Sequence, residues 1–256
     1  MISLSVIMPA LNEEDNIEKA VLDVLEGFST FGIDGELILV NDGSSDGTPG
    51  IMRGYAEKYP EKVRVITHLS PMGIGASFWD GVKSAVKDSV VMLPGDAENE
   101  SAEIFKYVDL MRHVDIIVPY VVNRNVRGFF RKCVSKLFLS VINFSFGLSL
   151  NYTNGTVVYR RAVFDDIKCG ESGFFYQVEA LVKAVKKGYL FAEVPCCLSK
   201  RSSGGSKALS LRSFIRVMKA YCRLLKEIYF STTYKTGGFL VQKTKAWETR
   251  EKCGEK

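Results

Sequence analysis

The strongest constraint on this chain is an alternation. Four short apolar runs are separated by stretches of helical periodicity, and each run ends in a polar or acidic loop. The runs are LSVIMPA (4–10), GELILVNDG (35–43), VRVITHL (63–69) and DSVVMLPG (88–95). Between them, NEEDNIEKAVLDVLEGF (12–28) carries Ile17, Val21, Leu22, Val24, Leu25 and Phe28 on a helical stripe. Asn12 and the acids behind it form a helix-start signal. Residues 46–59 and 75–86 are helix candidates as well. Strand and helix in strict alternation predict a mostly parallel sheet covered by helices, with binding loops at the carboxyl ends of the strands. The 256 residues, 46% of them apolar, can build such a core without staples.

The second half continues less regularly. VDIIVPYVV (114–122), GTVVYRRAVF (155–164) and LFAEVPCCLSK (190–200) are strand-like. Residues 127–148, 175–188 and 210–230 have helical character, the first rich in aromatics and the last basic and amphipathic. Residues from about 231 onward are polar and predict an irregular, flexible tail. The expected division is 1–208 for the α/β domain and 209–256 for an amphipathic, membrane-associating helix and the tail.

Several function classes are disfavoured by composition. Two histidines and six cysteines without a C-x-x-C pair argue against a zinc cluster. The thiols fit a reducing, cytosolic setting. MISLSVIMPALNEE has no basic region ahead of its apolar run, so it predicts a strand and not a signal peptide. In the uncharged run Leu137–Tyr159 the apolar part ends near Leu150. That is too short for the roughly 20 residues a spanning helix needs, but long enough to lie in an interface. A net charge of +5 makes the placement of basic residues more informative than their sum.

Three loops follow three of the strands: PALNEE, NDGSSDGT and PGDAENE. In a parallel sheet they share one edge and bring Glu13, Asp42, Asp96, Glu98 and Glu100 together. The last three alternate, which in an extended segment points them to one side. Carboxylates so arranged repel unless water screens them, as in a solvated acidic turn, or a cation sits among them. Such an edge suits a ligand with hydroxyls to donate, or a divalent cation carrying phosphates. GIGAS (73–77) is a glycine-rich helix start that could pack near a diphosphate. His68 and His113 are expected to be structural.

In order and spacing, SVIMPALNEEDNI, LILVNDGSSDGT, MGIGASFWDGVKSA and LPGDAENE resemble family 2 glycosyltransferases of the GT-A fold. The resemblance covers about residues 4–210. It implies a Rossmann-like, mostly parallel sheet with flanking helices, a nucleotide-sugar donor, and Mg²⁺ or Mn²⁺ on the donor diphosphate. The family's D-x-D acids match Asp96 and, in altered form, Glu98, with Ala97 between them; Glu100 is a third candidate ligand. Pro9, Leu11 and Glu13 match the first nucleotide loop, and Val40 and Asp42 match the strand end that meets base and ribose.

The second half narrows the resemblance to the polyprenol-phosphate sugar transferases. NRNVRGFFRKCVSKLF places Arg124, Arg127 and Arg131 before an aromatic-rich helix, and RSSGGSK spans Arg201–Lys207. By that resemblance Arg124 and Arg131 hold phosphates, while Arg201 and Lys207 close over the site. The implied acceptor is a polyprenyl phosphate, whose anionic oxygen needs no general base. The expected partners are a peripheral membrane surface on the cytosolic side, with a membrane-spanning partner or a second copy, and no nucleic acid. A transferase acting on a glycan or glycolipid hydroxyl is the alternative. It would need a base near GFFYQVE, where Glu179 could equally be an ion-pair partner of Lys183. A non-enzymatic sugar-nucleotide sensor is the third reading, which the paired Asp42 and Asp96 argue against.

Overall fold

The computed structural model describes residues 1–123, 129–153, 155–197, 211–231, 240–242 and 244–253. In chain order the elements are β1 (Ser3–Ala10), α1 (Ile17–Thr30), β2 (Asp34–Asn41), α2 (Thr48–Lys58), β3 (Val63–Thr67), α3 (Ile74–Ser84) and β4 (Ser89–Met92). They continue with α4 (Ala102–Phe105), a 3-10 turn at Val108–Arg112, β5 (Ile116–Val121), α5 (Phe129–Phe146), β6 (Val158–Arg160) and α6 (Val163–Asp166). The last are α7 (Tyr176–Lys187), β7 (Phe191–Cys196), α8 (Leu211–Phe230) and α9 (Lys245–Cys253).

Among the described residues the strands form one seven-stranded sheet in the order β3-β2-β1-β4-β6-β5-β7. β1 pairs in parallel with β2 and β4, β2 with β3, and β5 with β7. Only β6 runs against its neighbours β4 and β5. The expected mostly parallel sheet is therefore present, with one reversed strand near its middle. Register places Ala10 beside Asn41 and Asn41 beside Thr67, so the chain leaves β1, β2 and β3 along one edge.

Side chains alternate across the strands, as a pleat requires. Leu4, Val6, Met8, Leu37, Leu39 and Val91 meet Ile17, Val21, Val24 and Phe28 of α1 on one face. Ile7, Ile38, Val40, Val90 and Met92 meet Phe78 of α3 and Tyr176, Ala180 and Leu181 of α7 on the other. A third cluster joins Ile142 and Phe146 of α5, Val178 and Val182 of α7, and Ala220, Leu224 and Ile228 of α8.

Three expectations need correction, and one stretch without an expected element acquires structure. α1 begins at Ile17, because Asn12 sits at φ 56 in a left-handed turn and cannot start a helix. The ten-residue strand expected at 155–164 shrinks to three residues, after which the chain turns into α6. Residues 102–112, given no element from sequence, hold α4 and the 3-10 turn. The expected irregular tail contains α9, with Ala246 buried. Its first two N–H groups, of Lys245 and Ala246, donate to the fully buried Asp115 at 2.6 and 2.9 Å.

Candidate active site

The carboxyl edge is built from two interlocked loops. Asn12 N donates to Ser44 Oγ at 3.0 Å, and Ser45 N returns to Asn12 Oδ1 at 2.9 Å. Glu13 N donates to Thr48 Oγ1 at 2.9 Å, and Gly47 N donates to Glu14 Oε2 at 2.7 Å. Asn16 Nδ2 holds the Glu13 carboxylate at 2.9 Å. Asp46 accepts from Thr48 N at 3.0 Å. Burial pushes the Asp46 carboxyl up, but hydrogen bonds from the Thr48 hydroxyl and backbone pull it below its ordinary value.

Asp42 lies at the centre of this edge and is only 5% exposed. Its Oδ1 accepts from Met72 N and contacts His68 Nδ1, both at 2.8 Å. Its Oδ2 accepts from Gly73 N at 2.9 Å. His68 is also buried, and its Nε2 comes within 3.3 Å of Asp80 Oδ2 without hydrogen-bond alignment. A carboxylate held by two backbone N–H groups and an imidazole is fixed in place, and a donor at its one remaining lone pair, on Oδ2, meets a preset acceptor.

The acidic stretch lies across the same edge. Gly95 N donates to Pro9 O at 3.0 Å, tying it to the end of β1. Here the structure departs from the sequence expectation. β4 ends at Met92, Ala97 takes φ 54, and Glu98 N folds back to Asp96 Oδ1 at 3.1 Å. The segment is a turn, so Asp96, Glu98 and Glu100 do not share one side of an extended strand. Asp96 and Glu98 are half-buried and Glu100 is exposed. Among the described residues no three His, Cys, Asp or Glu side chains converge to hold a metal by themselves. Hard carboxylate oxygens here suit Mg²⁺ or Mn²⁺ in the mode that uses one or two carboxylates, with substrate phosphates completing the shell.

With the geometry in place, the kinship is direct. The pattern described as Glycosyl transferase family 2 matches residues 5–168, more than half of the chain. The chain belongs to glycosyl transferase family 2. This glycosyltransferase is 28% identical over 214 residues to a polyprenol monophosphomannose synthase of Mycolicibacterium smegmatis, covering 79% of each chain. It is 26% identical to a dolichol-phosphate mannosyltransferase of Pyrococcus furiosus, covering 87% of this chain and 64% of that one. It is 25% identical to an undecaprenyl-phosphate 4-deoxy-4-formamido-L-arabinose transferase of Sodalis glossinidius, covering 84% and 65%. The chain thus spans just under two thirds of the last two relatives. In fold it resembles glucosyl-3-phosphoglycerate synthase of Mycobacterium tuberculosis solved with Mg²⁺ and UDP. The TM-score is 0.62 at 19% identity, covering 88% of this chain and 79% of that one. The sheet with its flanking helices is the GT-A architecture.

The candidate residues of this glycosyltransferase fall into two groups. Pro9, Leu11, Glu13, Asp42, Asp96, Ala97, Glu98 and Glu100 all lie on or beside the carboxyl edge. Val40 belongs to the same strand end, but its side chain is fully buried in the core. Arg124, Arg127, Arg201 and Lys207 lie outside the described residues, and so does the side chain of Arg131 on α5. The glycine-rich start of α3 is a helix start as expected. Its Gly75 and Ala76 N–H groups already donate to Ser172 O, at 2.8 and 3.4 Å. Sequence reasoning missed Asn12, Asp46 and Asp80 as parts of the edge. Asn12 and Asp46 stand within the quoted motifs, whereas nothing in the sequence ties Asp80 to Asp42.

Glu179 is 4% exposed, and its oxygens are taken. Oε1 pairs with Lys183 Nζ at 3.0 Å, and Oε2 accepts from Gly170 N and Glu171 N at 3.3 and 3.0 Å. Lys183 also pairs with Glu227 of α8 at 2.8 Å. Burial pulls the Lys183 pKa down, but the hydrogen bond to Glu227 and the charge of Glu179 outweigh it and raise it above the ordinary value.

Proposed function

We propose that this enzyme transfers a hexose from a nucleotide-sugar to a polyprenyl phosphate with inversion at the anomeric carbon. The observation that carries the reading is the carboxyl edge, where the fixed Asp42 and the Asp96 turn share one rim in a relative of polyprenyl-phosphate sugar transferases. Asp42 would accept from the base or ribose. Asp96 and Glu98 would hold Mg²⁺ or Mn²⁺, which neutralises the donor diphosphate when bound. Arg124, Arg131, Arg201 and Lys207 are assigned to the acceptor and leaving-group phosphates, where guanidinium forks suit phosphate oxygens.

A phosphate monoester is already an anionic nucleophile. Its oxygen attacks the anomeric carbon from the face opposite the leaving group, and the C–O bond to the nucleoside diphosphate breaks. No proton has to be removed from the acceptor. The hydroxyl-acceptor alternative needs a general base, and Glu179 is a poor one, being buried with both oxygens engaged.

The site would work at a membrane surface. No described helix is long and apolar enough to cross a membrane. α8 exposes Phe214, Ile215 and Met218 beside Lys219 and Lys226, and α5 exposes Leu137, Val141 and Phe144. Apolar stripes with basic neighbours suit the cytosolic face of an anionic bilayer.

The deciding experiment offers UDP- and GDP-hexoses with undecaprenyl phosphate and Mn²⁺ and follows sugar transfer to lipid. Transfer by the wild type, abolished by chelator and by Asp96→Asn, is the expected result. Transfer that Asp96→Asn leaves intact refutes the assignment of the acidic turn, and transfer only to hydroxyl acceptors refutes the lipid-phosphate reading.

A further inference from the structure

The stretch MGIGAS (72–77) is gripped from two sides. Upstream, Met72 N and Gly73 N hold the Asp42 carboxylate at 2.8 and 2.9 Å. Downstream, Gly75 N donates to Ser172 O at 2.8 Å and Trp79 Nε1 to Glu171 O at 3.0 Å. The contact is too close for a side chain. A Cβ at Gly73 would lie 2.7 Å from Ser172 O, and one at Gly75 2.4 Å from Glu171 O. The 171–172 carbonyls thus set where α3 begins, and the start of α3 sets the N–H groups that hold Asp42.

What seats the 171–172 segment is partly a remote helix. Glu179 holds the segment from below through Gly170 N and Glu171 N. From α8, Arg223 Nη2 reaches Glu171 Oε2 at 2.6 Å. The Glu171 side chain is 13% exposed and Arg223 is 55% exposed, so this second support lies at the surface and can be removed without opening the core.

We propose that Arg223 is a positioning residue of the donor site. By fixing Glu171 it holds the 171–172 carbonyls on the start of α3, and through Met72 and Gly73 it fixes Asp42 for the nucleotide. The assignment rests on the reading of Asp42 as a nucleotide ligand. Donor affinity then depends on the seat of α8, an element outside the nucleotide-binding sheet.

The chain has two tryptophans, Trp79 and Trp247. In a Trp247→Phe background Trp79 reports directly on Glu171. The measurements are Trp79 emission and the affinity for UDP and GDP with Mn²⁺, in the background protein, in Arg223→Ala and in Arg223→Lys. The expected result is a shifted Trp79 emission and roughly two- to fivefold weaker nucleotide binding in Arg223→Ala, the scale of a partly exposed ion pair. Arg223→Lys should restore both in part, and thermal unfolding should remain cooperative. Unchanged emission and affinity in Arg223→Ala overturn the proposal, and so does shifted emission with unchanged affinity, which would leave the pair a purely structural tie. If the background protein binds neither nucleotide, the donor reading itself falls; if it binds and Arg223→Ala binds equally well, only the positioning role falls.

Discussion

Two glycines show how the cost of one methyl depends on its surroundings. At Gly75 a Cβ would meet backbone atoms of residues 171 and 172 at 2.4–2.8 Å, whereas at Gly54 in α2 it would meet nothing within 4 Å. Gly75→Ala should therefore destabilise the protein by about 1–3 kcal/mol, as overpacking does. Gly54→Ala should stabilise it by about 0.5–1 kcal/mol through helix propensity. Urea unfolding of both variants measures the contrast. Glu36 gives a pH signature. It is 5% exposed and accepts from Ser5 Oγ at 2.6 Å and Val86 N at 2.7 Å, with Arg64 also paired to it. Burial raises its pKa, but these hydrogen bonds outweigh it and hold the group below the usual 4.5. Its stabilisation is complete above that usual value and is lost as pH falls through the lower folded value. The stability gap between wild type and Glu36→Gln should be full at neutral pH and close in acid, as read by chemical unfolding along a pH series. At this scale the acids that directly follow the strands, Asp42 and Asp96 among them, are legible in the sequence, whereas Asn12, Asp46 and Asp80 are not legible as parts of the edge. The sequence could not show that Asp42 is held by Met72, Gly73 and His68, since those contacts exist only once the loop after β3 folds back.

Among the elements, α9 depends on one distant residue. Asp115 accepts from Lys245 N and Ala246 N, and also from Arg160 Nε at 3.1 Å. It caps a helix from 130 positions upstream. Asp115→Ala leaves Arg160 with only the carbonyls of Met111 and Val114 and removes the cap of the helix start, so a loss of about 3–5 kcal/mol is expected, the cost of breaking a buried pair. Hydrogen exchange should rise most across Lys245–Cys253. This dependence explains why α9 was illegible: KAWETREKC has little apolar periodicity, and its order comes from Asp115 and from the packing of Ala246 and Trp247. β1 to β4 were legible for the opposite reason, since each is a local apolar run with a polar stop. β6 is shorter than its sequence pattern predicts, because VVYRRAVF continues to look extended after the chain has turned at Arg161.

For the whole molecule, the packing on the sheet decides which helix faces stay exposed. α5 and α8 bury one side in a shared cluster and keep exposed stripes that include Phe144 and Phe214. Binding to vesicles containing anionic lipid should be strong at low salt and fall as salt rises, since each basic residue near the surface contributes about 1 kcal/mol of screened attraction. Flotation assays across a salt series would show this, and salt-independent binding or none would count against a surface seat. The reversed strand β6 has a further consequence, for biosynthesis. All four residues of β4 are buried, and β6 covers one of its edges. β6 follows β4 in the chain by 65 residues and arrives after β5 has already been made. A ribosome that has delivered β1 to β4 therefore holds a half-built sheet with an unpaired, apolar edge, the kind of surface that recruits other chains. Nascent chains of this enzyme should need shielding until Val158–Arg160 emerges, and translation stalls ahead of that point should yield aggregates, not a smaller folded domain.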